Sequence, residues 1–398
     1  MNRAVAAVGS VTDVGCWSGT PFHFWQAARA AGFADEPWRV DLRRINWQRW
    51  AWNAGQILSR GSGGFQYSNW FLRLIETQIP EELWATEVIS FSQHFPRAST
   101  VTESGGTLNH YLDAPFAALV TGRGLDLKLP RKIVERALEL ERENYAASRR
   151  VVVMARWAAG VMREECSVPE SKLHVILPGA NLQLPPDWEF PAPTGRAGIE
   201  REFRLGFVGK DWKRKGLPLV IGVRDELARR GWKARVLAAG MAPAELQRSA
   251  GLEFVGFINK QNDPQAFLRF LTACDVGCLF SEREAFGIST LEFLRAGVPV
   301  AGFIHEGPAD AVPPDAGFRF ERGCSVERIA DELAAYLKDE NQQALFRANA
   351  QRWSSLVTWE RCVAEMQELW TNGRSAEPVQ PWRGLPQSFP TMNLTLAL

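Results

Sequence analysis

The chain has 398 residues, 46% hydrophobic and 23% charged, the balance of a globular protein and not of a disordered or fibrous one. Its 46 basic and 45 acidic residues leave a formal net charge of +1, so no global field draws it to nucleic acid or to an anionic membrane. Such a length exceeds what one growing core accommodates, so two domains of about 150–200 residues with a cleft between them are expected.

Residues 3–11 are apolar behind a single arginine, a pattern shared by short signal peptides. The small-residue turn Ser18, Gly19, Thr20 and the helical spacing of Phe22, Trp25, Ala28 and Ala31 that follow make it a first strand instead, over residues 4–8. Further strands are expected at 88–91, 151–154 and 173–177, alternating with helices at 21–31, 131–148 and 157–165, which gives a first Rossmann-like domain over residues 1–185. Sixteen tryptophans are many, and Trp38, Trp47, Trp50, Trp52, Trp70 and Trp84 cluster early; they read as core side chains or, alternatively, as a stacking surface for sugar or lipid. Pro185, Pro186, Pro191 and Pro193 mark a linker at 186–201.

From residue 202 the alternation is regular. Strands at 205–208, 234–239, 252–257, 276–280 and 298–303 are separated by helices at 217–230, 265–273 and 288–296, which predicts a parallel sheet covered on both faces over 202–356. Helices at 326–337 and 359–370 follow, and the tail 372–398 carries four prolines and reads as irregular. No run approaches the roughly 20 apolar residues that cross a bilayer. Cys16, Cys166, Cys274, Cys278, Cys324 and Cys362 are scattered without metal-ligand spacing and read as reduced, mostly buried thiols.

Two constellations carry chemistry. Residues 281–297 read SEREAFGISTLEFLRAG, with seven residues between Glu284 and Glu292. Glu284 leaves a strand and Glu292 lies in the next helix, so both carboxylates can face one crevice at the carboxyl edge of the sheet. Between them Gly287 admits a close ligand, and the amides of Ile288, Ser289 and Thr290 at the helix start suit a diphosphate. Upstream, residues 207–216, FVGKDWKRKG, run from a strand through Gly209 into Lys210, Lys213, Arg214 and Lys215. A basic loop there is placed to neutralise phosphates and a departing diphosphate, Lys215 first and Lys210 and Arg214 behind it.

These motifs, in this order and about 70 residues apart, resemble those of the retaining family 4 glycosyltransferases of the GT-B fold. Residues 252–258, 273–281 and 297–307 are similar to further family segments, as are 145–182. Trp359 and Glu360 are similar to the opening of the family's final helix, which crosses back to the first domain, here over 357–371. The resemblance covers the chain from about Asn144 to Trp370. It implies two Rossmann-like domains facing across a cleft. It also implies that Glu284 contacts the donor sugar, that Glu292 contacts the ribose, and that Phe286, Gly287, Ile288, Ser289 and Thr290 hold the diphosphate. The base would lie against Phe257 and Ile258, with Gly19 and its neighbours closing over the phosphates. Lys210 stands where the family has arginine, which keeps charge without the bidentate fork.

On the acceptor side His94 is the first candidate for catalysis with Glu284 and Lys215; His23, His110 and Asp113 are alternatives. Glu306 and Gly307 would neighbour the sugar, with His305 and Asp310 in the same half. The implied reaction moves a sugar, with retention, from a nucleoside diphosphate sugar (UDP- or GDP-linked) to a hydroxyl of a glycan, lipid-linked or small-molecule acceptor, in polysaccharide or glycoconjugate assembly. No Asp-x-Asp sequence occurs, so no metal or cofactor is expected, and the implied location is cytoplasmic with peripheral contact at the inner face of the membrane. A sugar-nucleotide epimerase, a phosphorylase or a non-catalytic sugar-nucleotide binder on the same fold are the rivals. An NAD oxidoreductase would need a G-x-G-x-x-G after the first strand, which is missing.

Overall fold

The computed structural model describes residues 2–58, 63–120, 129–192, 197, 200–247, 249–260 and 262–373. Most of the expected tail, from 374 on, and part of the expected linker lie outside them. Among the described residues two six-stranded sheets form, each parallel throughout.

The first sheet comprises β1 (Arg3–Ala6), β2 (Glu36–Pro37), β3 (Glu87–Ser90), β4 (Thr107–Leu112), β5 (Arg150–Val153) and β6 (Leu173–Val175), in the order β2-β1-β3-β4-β5-β6. The second comprises β7 (Phe203–Gly209), β8 (Ala234–Gly240), β9 (Leu252–Gly256), β10 (Val276–Leu279), β11 (Val300–Phe303) and β12 (Gly317–Phe320), in the order β12-β11-β10-β7-β8-β9. Strands such as Arg-Val-Val-Val in β5 are buried at every position, because helices cover both faces of a parallel sheet and leave no solvent side for polar residues. Elements without a counterpart in the sequence reading include β2, β4, β12 and the helices Asn46–Leu58, Asn69–Glu76 and Glu340–Leu356.

Each order has one switch point that matters. In the second sheet the chain runs from β7 out to β9 and returns to β10 on the other side of β7, which opens a crevice beyond the carboxyl ends of β7 and β10. In the first sheet the equivalent place lies between β1 and β3.

The helix Trp359–Asn372 starts at Thr358, whose side chain accepts the amide of Arg361, and stops at Gly373 in the left-handed region. It packs on the first domain: Trp359 meets the ring of Phe24 at 6.0 Å, and Gln367 donates to the carbonyl of Ala31 at 3.1 Å. One apolar cluster runs from Phe24, Phe91 and Tyr111 through Trp359 to Phe286, Leu291 and Trp353, joining the two domains without a break. Polar clamps accompany it. The backbone N–H of Arg156 donates to Asp310 at 2.7 Å and its guanidinium at 2.6 Å, while Trp157 Nε1 donates to the carbonyl of Ala285 at 2.8 Å.

Candidate donor and acceptor site

The crevice between the two switch points holds two adjoining cavities. The larger, about 440 Å³, is lined from the second domain by Gly209, Lys210, Arg214, Lys215, Gly240, Phe257, Ile258, Lys260, Ile288, Ser289 and Glu292, and from the first by Asp13, Val14, Gly15 and Ser18. The smaller, about 210 Å³, is lined by Trp17, Ser18, Thr20, Tyr111, Asp113, Arg214, Lys215, Glu284, Phe286, Gly287 and Ile288, among others. Ser18, Arg214, Lys215 and Ile288 belong to both. Most of the expected donor-side residues are therefore brought together, with Glu292 at one end of a continuous space and Glu284 at the other.

The floor of this space depends on backbone approach. Gly240 has φ +134°, and a Cβ there would run into the carbonyl of Gly209. Two strand ends meet closely and leave room above them. Gly287, at φ +90°, has no space for a side chain against Leu279 and turns the chain into the helix Ile288–Arg295.

Glu284 accepts from Ser281 Oγ at 3.1 Å and from Arg214 Nη1 at 3.3 Å, with Lys215 Nζ 3.4 Å away. Burial pushes its pKa up, but the Lys215 and Arg214 cations outweigh burial and hold it below the ordinary value, so the group stays ionised. Arg214 is anchored further by the carbonyl of Arg283 at 2.6 Å and by Asp211 at 2.9 Å. Glu306 braces the loop from below, accepting the Glu284 amide at 2.8 Å and Arg283 Nη1 at 2.7 Å.

Glu292 is 1% exposed and pairs with Lys260 Nζ. Burial raises its pKa, and Lys260 offsets this only in part. Lys260 was not singled out from sequence; it follows the expected base edge at Ile258 by two positions, which was the available signal. Its ammonium also lies 4.2 Å from the centroid of Phe267, as that of Lys210 lies 4.8 Å from Phe257. Lys210 thus flanks the expected base edge.

Two donor-site expectations need correction. The amide of Thr290 donates to the carbonyl of Gly287 at 2.9 Å, so the closing helical turn uses it and the amides of Ile288 and Ser289 stand nearest the cavity. Gly19 is buried beneath its loop, packed on Val14 and His23; Ser18 and Thr20 face the space in its place. That loop is strained: Trp17, Ser18 and Gly19 all have positive φ, at 47°, 59° and 90°. Asn181 holds it there, donating to the carbonyl of Ser18 and to Thr20 Oγ1, each at 3.0 Å, while its Oδ1 accepts Trp359 Nε1 at 3.0 Å.

On the acceptor side the histidines separate from the aspartate. His94 is buried in the first domain, its Nε2 3.0 Å from the carbonyl of Ala137 and its ring edge-on to Tyr67 and Phe116. Burial lowers its pKa to about 4. His110 lies within β4, not in a loop, with Nδ1 2.9 Å from Ser148 Oγ. Neither lines the two cavities. His23 sits on the helix Thr20–Ala30 against Gly19, and burial with the Lys260 charge lowers its pKa to about 4, so it is neutral near pH 7. Asp113 does line the smaller cavity, and burial, with the Glu284 charge adding, raises its pKa to about 6. His305 bonds the carbonyl of Glu282 at 2.9 Å, and Asp310 serves the interdomain clamp described above.

Two parallel sheets with facing switch points and a crossing final helix define the GT-B glycosyltransferase architecture. The same fold occurs in the crystal structure of Anabaena HepE in complex with UDP, which superposes with a TM-score of 0.62 at 15% identity over 94% of this chain and 100% of that one. Residues 196–353 match the family described as Glycosyl transferases group 1. Curated relatives include a D-inositol 3-phosphate glycosyltransferase of Corynebacterium urealyticum, 25% identical over 56% of this chain and 55% of that protein. A glycogen synthase of Deinococcus radiodurans is 31% identical over 48% of this chain and 44% of that one. The chain thus spans about half the length of the curated relatives it matches.

Proposed function

We propose that the chain transfers a sugar from a nucleoside diphosphate sugar, UDP- or GDP-linked, to an acceptor hydroxyl with retention of anomeric configuration. The observation that carries this reading is the continuous space with Glu284 and Glu292 at its ends and Lys210, Arg214, Lys215 and the start of the helix Ile288–Arg295 between them. The ribose hydroxyls bind Glu292, the base lies on Phe257 and Ile258, and the diphosphate meets Lys215, Arg214 and the Ile288 and Ser289 amides. Glu284, kept ionised by its cations, accepts from the donor sugar's hydroxyls.

The acceptor hydroxyl approaches from the first domain beside Asp113. Its oxygen bonds to the anomeric carbon as the bond from that carbon to the diphosphate oxygen breaks, and its proton passes to the departing diphosphate. Lys215 and Arg214 stabilise the charge that develops there, which is where preorganised cations lower a barrier most. The loop at Trp17 to Gly19 closes the space from the other side and limits access of water.

The direct test is melting of the full chain with UDP, GDP and ADP. A nucleotide that binds only the folded form at about 100 times its Kd adds about 2.7 kcal/mol of stability. Proton NMR of the product formed from the matching nucleotide sugar then reads the anomeric configuration. Melting unchanged by all three nucleotides would sink the proposal, and an inverted product would remove retention from it.

A further inference from the structure

The near-zero net charge conceals a local imbalance. Residues 42–75 contain five arginines (Arg43, Arg44, Arg49, Arg60 and Arg73) and no aspartate or glutamate. Within this stretch the turn Leu42–Ile45 leads into the helix Asn46–Leu58. Trp47 and Trp50, three positions apart and hence on one helical face, are 66% and 75% exposed, more than any other large hydrophobic side chain among the described residues. Arg43, Arg44 and Arg49 are exposed beside them. Arg43 and Arg44 share the single carboxylate of Asp41, at 3.1 and 3.9 Å, so the patch keeps a net positive charge. The helix is fastened through Trp52, whose Nε1 donates to the carbonyl of Gly63 at 2.9 Å and whose ring lies 5.9 Å from Phe65. That attachment leaves the Trp47 and Trp50 edge exposed among the described residues.

We propose that this face docks on a bilayer surface rich in anionic lipid. Indole rings partition to the headgroup region, where an apolar body and an N–H are both satisfied. Arginines interspersed with them pair with lipid phosphates, and with Asp41 held by Arg43 and Arg44 and no acidic residue within 42–75, little repulsion from a negative surface opposes them. The position of the patch gives docking a use. A third cavity, about 920 Å³, is lined by Arg39, Leu42, Arg43 and Arg44, shares Asp13 and Gly15 with the donor cavity, and shares Trp17 with the smaller cavity. A docked molecule faces the membrane with the entrance that leads to Asp113, so its acceptor arrives from the lipid side. The docking itself does not rest on the donor reading.

The experiment is co-sedimentation of the full chain with vesicles of phosphatidylcholine alone and of phosphatidylcholine with phosphatidylglycerol, at low salt and at about 0.5 M salt, where screening is within a few ångströms. Binding is expected only with phosphatidylglycerol and is reversed by salt. The Trp47→Ser/Trp50→Ser pair and, separately, Arg49→Glu are each expected to weaken partitioning about tenfold or more, with melting temperature and nucleotide response unchanged. Equal pelleting with both vesicle types overturns the proposal, as does wild-type binding by both variants. A concentration-dependent dimer that disappears in the tryptophan variant, without vesicle binding, would assign the face to a second copy instead.

Discussion

At Glu284 two opposing effects meet in one carboxylate: burial resists its charge, and two cations about 3.4 Å away restore it. Replacing Lys215 by alanine removes one of those cations and, on the proposed function, the contact to the departing diphosphate as well. We expect kcat/KM to fall at least about tenfold, a typical loss for one charge contact in the transition state; initial rates over a range of donor concentrations check it, and a wild-type kcat/KM would refute it. Asp113 behaves in the opposite sense. Its carboxyl is held up at about 6, so the folded chain binds that proton more tightly than the unfolded chain does. The stabilisation is present below about pH 4 and is lost as pH rises through 6. Asp113→Asn should therefore raise the melting temperature at pH 7.5 and leave it unchanged at pH 4. An equal gain at both pH values would show that ionisation is not its cause.

Among elements, the second sheet except for β12 was legible in the sequence because its strands are short apolar runs bounded by turns, and each motif sits at a strand end. The first sheet was harder to read. The β4 sequence, Thr-Leu-Asn-His-Tyr-Leu, places polar residues where a buried strand should be apolar, and only the fold supplies the partners that make this acceptable: Ser148 for His110, and Val88 and Glu87 for Asn109. His94 was misjudged for the same reason, since a carbonyl from a distant helix satisfies it. The tryptophans divide by orientation, which composition does not report: Trp38 and Trp84 meet edge-to-face in the core with ring centroids 5.0 Å apart, whereas Trp47 and Trp50 point outward. The meeting of β7 and β8 at Gly209 and Gly240 invites a test. Gly240→Ala forces those strand ends apart and should cost about 1–3 kcal/mol in urea unfolding, together with the nucleotide-induced rise in melting temperature. Retention of both would mean that the strand ends yield freely.

For the whole molecule, the decisive feature is that neither domain holds the site alone. Arg156 and Asp310 join them with a buried carboxylate, and removing the arginine leaves that charge without its nearest partner. Arg156→Ala should destabilise by about 3 kcal/mol and weaken nucleotide binding, although Arg156 lines neither cavity. Differential scanning calorimetry would read the first effect and titration with nucleotide the second; two separated melting transitions would show that this clamp couples the domains.

The bonds of Asn181 to Ser18, Thr20 and Trp359 tie together three stretches of chain that lie far apart in sequence: the left-handed turn, the segment after β6 and the start of the final helix. Truncation ahead of Trp359 would therefore slacken a turn far upstream through a single amide side chain.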